Sequence, residues 1–127
     1  MDSVVSEVDL QTIRQTALNY IQGWYEGNEE QMGNSLHEIL SKRSIRVDDA
    51  TNQEELWHLT KPELVQFTAN GGGKATSREK LIYDITILDS FKGIATVKVL
   101  AYDFVDYLHI AKLNGEWKIV NALWANR

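Results

Sequence analysis

The chain has 127 residues, 43% of them hydrophobic and 24% charged, with thirteen basic against eighteen acidic residues for a formal charge of −5. Those totals describe one ordinary globular domain over residues 1–127, with room for a core and a pocket, and they exclude a disordered chain or a fibrous repeat. No cluster of Lys and Arg supplies the footprint that a phosphate backbone requires, no run approaches the roughly 18 apolar residues of a membrane span, and the segment Met1 to Asp9 is acidic where a signal peptide would be basic and then apolar. Neither nucleic acid nor a membrane is therefore an expected partner, and the expected location is cytoplasmic. With no cysteine in the sequence, disulfides, thiolate nucleophiles and Cys-ligated zinc drop out together.

From Asp9 to Glu26, Leu10, Ile13, Ala17, Tyr20, Ile21 and Trp24 recur at helical spacing, with Asp9 as the expected cap and Gly27 as the expected stop. Asn28 and Gln31 form a capping pair for a second, shorter helix running through Met32 and Leu36 towards Ile39. Ser44 to Val47 has the composition of a short strand, and the polar DDATNQEE after it that of a loop. Thr60, Pro62 and Glu63 make a capping box for a third helix carrying Leu64, Val65 and Phe67, which stops in the glycines 71–73.

Beyond Gly73 the composition turns to Ile, Val, Thr and aromatics, predicting strands over Leu81–Leu88, Ile94–Tyr102, Phe104–Leu113 and Trp117–Ala125. Asn114-Gly115 is a strong two-residue hairpin signal, and the short connections make neighbours antiparallel. Three helices followed by a strand meander is an α+β plan, with the helices on one face of the sheet. In the last strand, alternation puts Trp117, Ile119 and Leu123 on one side, with Val120, Ala122 and Trp124 on the other. Two apolar faces need two covers, and a homodimer through the sheet is the expected source of the second.

The succession of elements resembles the nuclear-transport-factor-2-like superfamily, in which helices and a curved antiparallel sheet form a cone around a pocket. Residues 20–43, 56–72 and 87–124 are similar in order and spacing to its putative lumazine-binding branch. The most specific pieces are Gly23-Trp24-Tyr25, Leu36-His37 and the block from Asp106-Tyr107-Leu108-His109 through Trp117 to Asn121. Glu38 departs from the pattern, standing where a proline commonly follows that histidine. The resemblance implies a cone-shaped fold and leaves activity open, since the superfamily holds isomerases, dehydratases, cyclases and plain binding modules.

Strand parity decides which side chains see the pocket. With Lys112 in solvent, Tyr107 and His109 oppose Asp106 and Leu108, and pairing across the hairpin brings His109 near Asn121. Grouped with Trp117 and Ile119, Tyr107, His109 and Asn121 are the expected polar lining of an apolar cavity, as in most small-molecule sites. One residue of parity error would put Asp106 inside instead. Tyr20, Trp24 and Trp57 are the candidate walls for a flat apolar or aromatic ligand, against the alternative of ordinary core aromatics.

His37 and His109 are the candidate general bases for a cofactor-free isomerase, dehydratase or cyclase, and His37 is also a candidate ligand hydrogen-bond donor closing the pocket mouth. For His37 the alternative is a helix C-terminal histidine, and for His58 simple exposure. Asp48 and Asp49 offer a carboxylate base or a solvated loop. The three histidines have no ligand spacing, so no metal is expected, and no cofactor. The stretch Gly71 to Thr76 lacks P-loop spacing and follows a helix.

Overall fold

A computed structural model describes residues 5–74 and 76–127, apart from the side chain of Arg78; Ala75 of the glycine-rich stretch and the first four residues of the acidic N-terminal segment lie outside them. In chain order the elements are α1 (Glu7–Glu26), α2 (Glu29–Ser35), β1 (Leu36–Val47), β2 (Glu54–Leu59), α3 (Lys61–Ala69), a 3-10 turn (Arg78–Lys80), β3 (Tyr83–Phe91), β4 (Ile94–Ala101), β5 (Phe104–Leu113) and β6 (Glu116–Asn126). Three helices pack on one face of a curved six-stranded sheet, ordered β2-β1-β6-β5-β4-β3.

Local sequence explains most boundaries. Ser6, rather than Asp9, caps α1, accepting the Asp9 N–H at 3.1 Å. Glu7 and Asp9 then sit in the first turn, where carboxylates favour the helix dipole. The Asp9 carboxylate is used elsewhere: it accepts from Trp117 Nε1 at 2.9 Å and Lys112 Nζ at 3.2 Å, tying α1 to the β5–β6 hairpin. Gly27 ends α1 in the left-handed region at φ 66°, Asn28 caps α2 by accepting the Gln31 N–H at 3.0 Å, and the Thr60–Glu63 capping box opens α3. Asn114 and Gly115 both have positive φ, as the two-residue hairpin turn requires.

β3 runs Tyr83–Phe91 rather than the expected Leu81–Leu88, and two larger differences lie around β1. The second helix stops at Ser35, and Leu36 begins a twelve-residue strand that contains the anticipated Ser44–Val47 segment. Glu54–Leu59, whose first two residues belong to the expected loop 48–55 and whose remainder carries no expected element, forms β2 against β1, with Trp57 opposite Ser44 and Leu59 opposite Lys42. Tertiary pairing on both sides of β1, with β2 and with β6, outweighs the local signal in each case. The β1–β6 pairing is parallel, so the sheet is mixed rather than wholly antiparallel; the other four pairings are antiparallel.

The helices and the inner face of the sheet enclose the core, including Ile13, Ala17 and Ile21 of α1, Val97 and Val99 of β4, Leu108 and Ile110 of β5 and Ile119 of β6. On the outer face Ile45, Leu56, Tyr107 and Leu123 are exposed. A bulge at Val120 sets which β6 residues face which way: Ile110 pairs with Ile119, but His109 pairs with Asn121. One extra residue reverses the alternation. Trp117 and Ile119 therefore share the inner face with Ala122 and Trp124, while Asn121 and Leu123 turn outward. No helix among the described residues is long and apolar enough to cross a membrane.

Candidate functional site

Between the helices and the β1–β2 end of the sheet lies a cavity of about 280 Å³. Trp24 of α1, Trp57 of β2, Phe67 of α3 and Phe104 and Trp124 of the β5–β6 pair supply aromatic walls; Met32, Leu59 and Leu64 add aliphatic surface. Trp24 is held by close backbone approach. A Cβ on Gly73 would overlap the Trp24 carbonyl, and one on Gly72 would meet its indole ring, so the glycine run is a seat for the wall rather than only a flexible rim.

The inner end of the cavity is polar. Lys42, Trp124 and Asp106 come from three adjacent strands: Lys42 is in register with Ala122 of β6, and Asp106 of β5 faces Trp124 across the antiparallel pair. Tyr20 reaches down from α1. Its hydroxyl donates to Asp106 Oδ2 and accepts from Lys42 Nζ, and Lys42 Nζ also lies 3.4 Å from Asp106 Oδ2. The ammonium sits 4.9 Å from the Tyr20 ring centroid and 5.5 Å from that of Trp124. Asp106 is wholly buried, and the Lys42 side chain is 12% exposed.

Burial pushes the Asp106 carboxyl above its ordinary range, against the opposing pulls of the Lys42 charge and the Tyr20 hydrogen bond. Desolvation prevails because the ammonium contact is long and only one carboxylate oxygen is engaged. Burial, and then the Asp106 charge, push Tyr20 well above its usual value, so it stays a neutral phenol. Asp106 Oδ1 and Trp124 Nε1 are buried without a protein partner among the described residues.

Tyr20, Trp24 and Trp57 line the cavity. The expected polar lining does not. Tyr107, His109 and Asn121 do share a face, with Asn121 Nδ2 3.3 Å from His109 Nδ1, but it is the exposed outer face. The Val120 bulge is the reason: grouping Asn121 with Trp117 and Ile119 holds only for an uninterrupted strand. Asp106 is the residue of that block that points inward.

The other candidate base, His37, is equally remote. His37 is the second residue of β1, not a helix terminus, and its Nδ1 accepts the Ile39 N–H at 3.2 Å. His58 is exposed on β2, 2.8 Å from Ser41 Oγ, and neither lines the cavity. Asp48 belongs to the turn between β1 and β2, its Oδ1 accepting the Ala50 N–H at 2.8 Å.

Lys42 was not anticipated as a site residue. Reading β1 as a strand from Leu36 would have exposed it, since Leu36, Leu40, Lys42 and Ser44 alternate inward with exposed Arg43 and Ile45.

The model of the family described as putative lumazine-binding matches residues 8–125. The chain belongs to that family. Solved structures similar to it include an NTF2-like protein of unknown function from Silicibacter pomeroyi DSS-3, at 15% identity and TM-score 0.73, covering 98% of this chain and 100% of the other. Another, from Methylobacillus flagellatus KT, is 20% identical at TM-score 0.72, covering 100% and 98%. A ketosteroid isomerase-like protein from Erwinia carotovora atroseptica SCRI1043 is 10% identical at TM-score 0.62, covering 95% and 98%. At these identities the likeness shows the fold. No curated protein matches the chain.

Proposed function

We propose that this family member is a small-molecule-binding protein whose ligand is flat and largely apolar or aromatic, seated between Trp24, Trp57 and Phe67. The observation that carries this reading is the aromatic-walled cavity itself, since concave, mainly apolar spaces with a few convergent polar groups are the usual form of a ligand site. The branch description supports a small-molecule-binding fold. Isothermal titration with 2-ethylnaphthalene tests it: the wild type binds and Trp57→Ala weakens binding at least tenfold, whereas His109→Ala leaves it unchanged. Equal loss in both variants, or binding indifferent to Trp57, would contradict the cavity as the site.

That His37, His58 and His109 all lie outside the cavity lining favours binding over a cavity histidine acting as a general base. A homodimer through the outer face is supported by the exposed apolar side chains there, with Tyr107 and Leu123 directly paired between β5 and β6. In light scattering at micromolar concentration we expect a dimer that Leu123→Glu converts to a monomer. A cytoplasmic location is favoured by the cysteine-free composition.

A further inference from the structure

Lys42, the charged side chain at the inner end of the cavity, still has an unused donor. An ammonium carries three N–H bonds. Lys42 directs one to the Tyr20 hydroxyl and one, long at 3.4 Å, to Asp106 Oδ2, and its third has no protein acceptor among the described residues. The indole N–H of neighbouring Trp124 also has no acceptor among the described residues, but it is itself buried. Tyr20 cannot serve a ligand as a donor, because its proton is committed to Asp106. Of the other polar lining residues, Asp103 and Asn126 are exposed and Thr76 is half-buried with a hydroxyl that can donate or accept, while the unpartnered Asp106 Oδ1 belongs to a residue that does not line the cavity.

We infer that the ligand presents an accepting oxygen, a carbonyl or a carboxylate, to Lys42 at the inner end of the cavity, with its ring system between the aromatic walls. This rests on the cavity being the binding site and adds the chemistry of the ligand's buried end. Tyr20 and Asp106 act as positioning residues. They hold the ammonium on the floor and balance its charge, so that a carbonyl can bind without any change of protonation. A carboxylate adds a second negative charge beside Asp106, and the probes below distinguish it from a neutral carbonyl.

Three probes of one ring system separate the possibilities: 2-ethylnaphthalene, 2-acetylnaphthalene and 2-naphthoate, titrated calorimetrically into the full chain. In the wild type an oxygen-bearing probe binds roughly tenfold or more tighter than 2-ethylnaphthalene, the gain expected of a charge-assisted hydrogen bond. Lys42→Met abolishes that preference while 2-ethylnaphthalene still binds. Because Lys42→Met leaves Asp106 without its cation, the double variant K42M/D106N, which removes both charges, is measured beside it and is expected to give the same loss. If 2-naphthoate outbinds 2-acetylnaphthalene the oxygen is anionic, and the reverse order makes it a neutral carbonyl; either order supports the Lys42 contact. An oxygen preference that survives in K42M/D106N overturns the inference. So does a wild type that binds 2-ethylnaphthalene as tightly as the other two, and that result leaves the cavity reading intact. Failure of all three probes to bind overturns both.

Discussion

The two faces of the sheet carry polar groups of opposite character. On the outer face His109, Asn121, Ser41 and His58 form side-chain pairs in solvent, where each hydrogen bond replaces one to water. A depression of about 350 Å³ there takes in His109 and Asn121, but it lies open on the sheet surface. On the inner face Lys42, Tyr20 and Asp106 are withdrawn from water, so each depends on the other two. His58 and His109 thus sit where polarity is cheap, and an unremarked lysine sits where it is not.

Breaking the inner group should show this contrast most strongly. Lys42→Met leaves a buried carboxylate without its cation and should cost about 3 kcal/mol in urea unfolding at neutral pH, whereas His109→Ala on the outer face should stay within about 0.5 kcal/mol. Similar costs for the two would remove the distinction between the faces.

Next in size is the seat of Trp24. Gly73→Ala forces a methyl group into the Trp24 carbonyl and should lower stability by roughly 1–3 kcal/mol, with a loss of affinity for 2-ethylnaphthalene. A neutral substitution would show that the glycine run does not support the wall.

The capping hydroxyl of α3 gives a smaller effect. Thr60→Ala removes the acceptor for the Glu63 N–H and should cost about 1 kcal/mol.

The pH dependence of Asp106 sharpens the comparison further. A carboxyl raised by burial binds its proton more tightly in the folded than in the unfolded chain. Its contribution is therefore fully present below the ordinary carboxylate value of 3.8 and is lost as pH rises through the higher folded value. Asp106→Asn should become progressively more favourable, relative to the wild type, between about pH 4 and neutrality. Denaturant midpoints at those two pH values that differ from wild type by the same amount would contradict the desolvated carboxyl.

Much of the fold is legible in residue pattern, and the unread parts share one cause. The stripe of α1, the Asn28 and Thr60 caps and the Asn114-Gly115 turn are local features, determined by residues within a few positions of one another. The start of β1 at Leu36, the existence of β2 and the parallel β1–β6 pair depend on partners distant in the chain. At the site, the walls Tyr20, Trp24 and Trp57 follow from their apolar bulk. The polar end did not, because a single extra residue at Val120 exchanges Asn121 for Ala122 and Trp124 on the inner face. The Asp106 alternative was visible as the consequence of a parity shift; Lys42 required knowing that the chain after Ser35 is a strand.

The most direct measurement is a crystal structure of the full chain soaked with 2-acetylnaphthalene. We expect the ring between Trp24 and Trp57, with the carbonyl oxygen within hydrogen-bonding distance of Lys42 Nζ. Density for the probe on the outer face, beside His109 and Asn121, with the aromatic cavity unfilled, would contradict the account.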